Sequence, residues 1–86
     1  MAEVIVYSTR YCAYCHAAKG LLADKGVIFT EIDLTGNSIE REALRAKVGG
    51  RSTVPQIFIA GNAVGGYDEL VALEGNGELD ALLEVR

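Results

Sequence analysis

Two cysteines, Cys12 and Cys15, stand in the run Tyr11-Cys12-Ala13-Tyr14-Cys15, directly after the apolar stretch Val4-Ile5-Val6-Tyr7. The stretch reads as a strand, and the residues after it carry helical spacing, so the fold would deliver both thiols to the first turn of a helix. Unpaired backbone N–H groups and the positive end of the helix dipole there favour thiolate over thiol, and thiolate is the reacting species. Cys12 is therefore the candidate nucleophile of a thiol–disulfide exchange, with Cys15 beside it.

The same spacing also suits half of a metal knuckle or a structural disulfide. A closed zinc site takes four protein ligands, whereas this chain offers Cys12, Cys15 and a single His16. A bridge between Cys12 and Cys15 closes so short a loop that it would constrain the unfolded chain little. Redox activity explains the pair better than either alternative.

The 86 residues are read as one domain, 1–86, with half the residues apolar, enough for a single small core. A net charge of −4 and the absence of any Lys/Arg run argue against nucleic acid or an anionic membrane as partner. No apolar stretch approaches the ~20 residues of a membrane span, and Glu3 stands where a secretory signal would be basic. The expected location is the cytoplasm, where two cysteines cycle more readily than they stay oxidised.

Periodicity gives the order βαβαββαα. Val4 to Ser8 is the first strand, and Ala13 to Lys25 a helix with Ala17, Ala18, Leu21 and Leu22 on its apolar side, stopped by Gly26. Val27 to Leu34 is the second strand. Asn37 or Ser38 caps a helix running to about Val48, with Ile39, Ala43, Leu44 and Val48 as its apolar stripe. Gln56 to Ala60 and Ala63 to Val64, turning at Gly61-Asn62, form a hairpin; Asp68 to Glu74 and Leu79 to Val85 are two short helices. A βαβ unit followed by a hairpin predicts a mixed, four-stranded sheet flanked by helices, in the α/β class.

Three motifs in order carry a family resemblance: Cys12-Ala13-Tyr14-Cys15 after the first strand, Thr53-Val54-Pro55 before the third, and Gly65-Gly66-Tyr67-Asp68 opening a late helix. Over nearly its whole length the chain resembles the glutaredoxins, in particular the small dithiol class of bacteria. The resemblance implies a thioredoxin-like fold, glutathione as reductant, and reduction of protein–glutathione mixed disulfides and protein disulfides. It gives Cys12 the role of nucleophile and Cys15 that of resolving thiol, in a monomer. It also implies a cis bond before Pro55, which leaves the backbone of Val54 free to pair with an extended thiol peptide.

For glutathione, Gly65, Gly66 and Tyr67 would supply a close backbone approach and helix N-terminal amides for the γ-glutamyl carboxylate, and Asp68 would meet the ammonium. Tyr14 and Thr53 would line the groove. The family commonly has a lysine three residues before the first cysteine; here Thr9 occupies that position and Arg10 carries the charge one step nearer. Arg10 is thus the candidate for the glycyl carboxylate, with Arg45, Lys47 and Arg51 as looser ones.

Ala13 stands where dithiol relatives usually have proline, which relaxes the helix start and adds an N–H near the thiols. Relatives with a small residue there can hold a [2Fe–2S] cluster between two protomers, and Cys12 with glutathione thiolates would supply its four ligands. A cluster carrier is one alternative function; a redoxin coupled to thioredoxin reductase is the other.

Overall fold

Five consecutive apolar or small residues, Val4–Ser8, form strand β1, and its alternate side chains go to opposite sides of the sheet. Val4 and Val6 enter one core with Ala18, Leu22, Val27, Ile57, Ile59, Leu70, Leu79 and Leu83. Ile5 and Tyr7 turn to a second core around Leu34 and Leu44. The computed structural model, which describes residues 2–50 and 53–84, thus has three layers, with the sheet between α1, α3 and α4 on one side and α2 on the other.

The order is β1 (Val4–Ser8), α1 (Ala13–Asp24), β2 (Thr30–Asp33), α2 (Ser38–Lys47), β3 (Gln56–Ile59), β4 (Asn62–Gly65), α3 (Tyr67–Gly75) and α4 (Glu78–Leu83). Strands lie in the order β2-β1-β3-β4. β1 runs parallel to β2 and antiparallel to β3, and β3 antiparallel to β4, which is the expected mixed sheet. This arrangement brings the C-terminal ends of β1 and β2 and the N-terminal end of β3 to one edge of the molecule, the edge that carries Cys12.

Three sequence expectations shift for identifiable reasons. Val27 was expected to open β2, but its N–H closes back on Leu22 O at 3.0 Å while Gly26 N–H bonds Ala23 O at 2.9 Å. That pair of bonds is a Schellman closure of α1, and Val27 packs with Leu22 as its hydrophobic contact. β2 begins only at Thr30, opposite Ile5, and Ile28 points into solvent.

The hairpin turns at Ala60-Gly61, one residue earlier than expected, and Ile59 faces Asn62 across the turn. A tight two-residue loop of type I′ needs positive φ at both positions, and Ala60 (53°) and Gly61 (81°) supply it. Asn62, expected in the turn, is instead the first residue of β4.

Ile39 was expected on the apolar stripe of α2, yet it is 83% exposed. Five residues at 3.6 per turn place Ile39 about 140° around the helix from Leu44, whereas Val48 lies only about 40° away. Leu44 and Val48 therefore seat α2 on the second core without it. Asn37, of the two proposed caps, is the one used: its side chain accepts from Glu40 N–H at 3.0 Å. The last helix ends at Leu83 within the described residues, and the expected end at Val85 lies outside them.

These placements predict unequal costs for removing apolar side chains. Leu22→Ala, at a fully buried position, should lower the free energy of unfolding by about 2–5 kcal/mol. Ile39→Ala should stay within about 0.5 kcal/mol of the parent in guanidinium denaturation, despite deleting more atoms than Leu22→Val would.

Candidate functional site

The helix that carries the thiols starts with a sulfur as its cap. Cys12 is the N-cap of α1 in extended backbone (φ −121°, ψ 110°), and its Sγ accepts a hydrogen bond from the Cys15 N–H at 3.1 Å. The position belongs by preference to Ser, Thr, Asp or Asn, whose side-chain oxygens satisfy the free amides of the first turn. Here sulfur takes that part, in a contact that strengthens when the acceptor is negatively charged. As a thiol, Cys12 also donates to the Val54 carbonyl at 3.6 Å.

Cys15 is fully buried on the inner face of the same helix. Burial pushes its thiol up to about 12, and its hydrogen bond to the Cys12 sulfur adds to the shift. The backbone of Thr9 and the charge of Lys19 pull in the opposite direction without overcoming it. The two cysteines are free, one half-buried and one buried, so the chain presents one accessible sulfur and one protonated reserve. Below them, buried Ser8 donates to Glu31 Oε2 at 2.6 Å, and Lys19 Nζ reaches the same oxygen at 2.6 Å. These bonds, that of Lys19 first, hold the Glu31 carboxyl below its usual range.

Opposite Cys12, the chain enters β3 through a cis Val54–Pro55 bond, as the resemblance implied. Val54 lies outside the ladder, whose pairing with β1 starts at Gln56 and Tyr7. Buried Gln56 fastens this loop from below, its Nε2 donating to Thr53 O at 2.9 Å and Thr53 Oγ1 at 3.2 Å.

α3 starts without a side-chain cap. Gly66 is its N-cap and has no side chain to cap the first turn. The first helical bond runs from Leu70 N–H to Gly66 O, so the amides of Tyr67, Asp68 and Glu69 lie N-terminal to it. Asp68 and Glu69 both stand in this first turn. α3 begins at Tyr67, one residue before the expected start at Asp68.

Between these walls lies a groove of about 300 Å³ lined by Tyr14, Thr53, Val54, Pro55, Gly66, Tyr67, Asp68 and Glu69. The Tyr14 and Tyr67 rings face each other at 6.0 Å between centroids, tilted by 33°. The fold thus brings Tyr14, Thr53, Val54, Pro55, Gly66, Tyr67 and Asp68 to one groove beside Cys12, with Gly65 buried next to it at the end of β4.

Arg10 is the exception. Its Nε pairs with Asp33 Oδ2 at 3.3 Å and its N–H donates to Thr35 Oγ1 at 2.9 Å, which places it on the β2 side of Cys12. Of the looser basic candidates, Arg45 pairs with Glu42 on α2 and Lys47 is exposed at the end of that helix; Arg51 lies outside the described residues. His16 Nε2 lies 3.2 Å from the Arg10 carbonyl.

One groove residue, Glu69, and one residue that supports the groove, Gln56, escaped the sequence reading. Glu69 follows Asp68 with no spacing that marks it, but Gly65 is its signature: a Cβ there would come within 2.7 Å of Glu69 Oε1. Gln56 read only as a strand position; a buried amide at the mouth of a strand is the signal that it holds a loop.

A second hollow, lined by Leu34, Gly36, Asn37, Ser38 and Arg41, contains no thiol. Among the described residues no three His, Cys, Asp or Glu side chains are grouped to hold a metal ion, and no helix is long and apolar enough to cross a membrane.

The glutaredoxin family model matches residues 4–64. Glutaredoxin 3 of Escherichia coli (strain K12) is 50% identical over 84 residues, covering 98% of this chain and all of the relative. The solution structure of glutaredoxin from Brucella melitensis superposes with a TM-score of 0.85 at 48% identity, over 96% of this chain and 89% of that one. The crystal structure of a buckwheat glutaredoxin–glutathione complex does so with a TM-score of 0.88 at 32% identity, over 96% of this chain and 77% of that one. Sheet order, the capping thiol and these likenesses agree on a thioredoxin-like fold with an exchangeable cysteine pair, and the chain belongs to the glutaredoxin family of thiol–disulfide oxidoreductases.

Proposed function

We propose that the protein reduces mixed disulfides between glutathione and protein thiols, and protein disulfides, with glutathione as the electron donor. One observation carries this reading: the Cys12 sulfur lies 3.6 Å from the carbonyl of Val54, which lines a groove whose other wall is a helix N-terminus without a side-chain cap, bearing Asp68. A γ-glutamyl group ends in a carboxylate and an ammonium. The free amides of Tyr67 and Asp68 suit the carboxylate, and the Asp68 side chain suits the ammonium. The Val54 backbone, outside the β3 ladder, suits the cysteinyl part of the tripeptide, and Tyr14, Thr53, Pro55 and Gly66 complete the walls. The glutathione bound in the buckwheat relative supports the same occupant.

In the first step the Cys12 thiolate attacks the glutathione sulfur of the mixed disulfide. The Cys12–glutathione bond forms, the bond to the protein sulfur breaks, and the protein leaves as a thiolate that takes a proton from water. A second glutathione thiolate then attacks the glutathione sulfur held on Cys12, releasing glutathione disulfide and restoring Cys12. Neither step uses Cys15.

A protein disulfide follows the other route. Cys12 joins one target sulfur as the target S–S bond breaks and its other sulfur leaves as a thiolate. Cys15 gives up its proton to that thiolate or to water and attacks Cys12, expelling the fully reduced target and leaving a Cys12–Cys15 disulfide for glutathione to reduce. The charge-paired groove distinguishes this donor from thioredoxin reductase, since it fits a charged tripeptide. Arg10, paired with Asp33 through Nε alone, is the residue proposed for glutathione's glycyl carboxylate. The setting proposed is the cytoplasm, and the working form a single-domain monomer.

A [2Fe–2S] cluster needs four thiolates. Cys15 is fully buried, so each chain presents Cys12 to a cluster; this donor set suits a cluster shared between two chains and completed by glutathione.

Reduction of a glutathionylated peptide, coupled to glutathione reductase and NADPH, tests the central assignment. Cys12→Ser should abolish turnover and Cys15→Ser should retain it; full activity in Cys12→Ser would remove Cys12 from the nucleophile role.

The acidity of Cys15 makes a separate prediction. At about pH 8, iodoacetamide should modify Cys12 and leave Cys15 unmodified by mass spectrometry until the protein is unfolded. Because the folded thiol titrates near 12 and the free one near 9.0, the stability from burying it neutral is fully present below pH 9.0 and is lost as pH rises toward 12. Melting temperatures across that window should therefore fall less steeply for Cys15→Ser than for the parent.

A further inference from the structure

Tyr11 immediately precedes the nucleophile and is 94% exposed, the largest exposure among the large hydrophobic side chains of the described residues. The backbone that presents it is fastened on both sides. Arg10 is held to Thr35, to Asp33 and to the His16 ring, and the Cys12 carbonyl accepts from His16 N–H at 3.2 Å while its sulfur caps α1. A bulky aromatic is thus displayed from a fixed loop without a groove of its own.

Sheet order puts this loop and the groove on opposite sides of Cys12. The groove is built from the entry to β3 and the start of α3. The loop is anchored to Asp33 and Thr35, at the end of β2 on the other flank of β1. When the glutathione half of a substrate fills the groove, the protein half must rest on the remaining surface around Cys12, and Tyr11 stands there. An aromatic ring with few rotatable bonds gains contact area at small entropic cost, which is why tyrosine is enriched among the residues that dominate interfaces.

We propose that Tyr11 is a specificity-determining contact for the protein half of the mixed disulfide, packing on an apolar side chain next to the substrate cysteine and taking no part in holding glutathione. The inference rests on the glutathione-dependent reading above. It makes the β2 side of Cys12 the protein-facing side, continuous with the groove through the one sulfur that both halves of the substrate approach.

The test compares two substrates, a glutathionylated peptide with leucine beside its cysteine and the mixed disulfide of free cysteine with glutathione. Tyr11→Ser should lower kcat/KM for the peptide by about fivefold to thirtyfold, the range of one interface anchor. The small disulfide should be turned over as by the parent, and Tyr11→Phe should behave as the parent on both. Equal losses on the two substrates, or no loss on the peptide, would overturn the inference while leaving the glutathione reading standing. A parent protein inactive on the small disulfide would overturn both.

Discussion

The sulfur of Cys12 has to satisfy a helix and remain available to a disulfide. It accepts the Cys15 amide as the cap of α1, so the same geometry that starts the helix holds the reacting atom at the edge where β1, β2 and β3 converge. Nearly every other feature of the fold serves that placement. β1 is buried on both faces and fixes the end from which the loop departs. Leu22 and the Schellman closure at Val27 lock the far end of α1 into the larger core. The short span between strand and cap is tied sideways by Arg10 to β2.

Chemistry then divides between two thiols that differ by environment alone. One is partly exposed at a helix start, facing the Val54 carbonyl and a groove; the other is sealed in the core and stays protonated. That asymmetry underlies the proposed division of roles, with Cys12 meeting substrate and Cys15 acting only after a bond to Cys12 has formed beside it. The first turn of α3 brings backbone amides and the acidic side chains of Asp68 and Glu69 together, and the proposed occupant is matched to both. A tripeptide carrying both charges at its γ-glutamyl end is a natural occupant, whereas an apolar peptide would leave the acidic groups unmatched.

Most of this was legible in the sequence because the informative residues are local. A β-branched run, a cysteine at the helix start and a glycine pair before an acidic turn each state their own conformation, and β1, the start of α1 and the mixed sheet emerged as expected. The departures come from packing at a distance. Val27 looks like a strand residue but closes a helix, since tertiary contact with Leu22 decides its use. Ile39 is apolar yet points outward, because helix rotation relative to Leu44 sets its direction. Arg10 carries the charge expected near glutathione, but Asp33, distant in sequence, holds it on the other side of Cys12. Glu69 and Gln56 shape the groove through contacts that no spacing announces.

The central claim is that glutathione, once joined to Cys12, lies between the Val54 segment and the first turn of α3. Amide NMR spectra of 15N-labelled Cys15→Ser protein, recorded before and after its Cys12 is converted to the mixed disulfide with glutathione, measure this directly. Shift changes concentrated at Val54 and at Tyr67, Asp68 and Glu69, beyond those next to Cys12, are the predicted result. Changes confined to the neighbours of Cys12, or centred on the hollow around Leu34, Asn37 and Arg41, would contradict it.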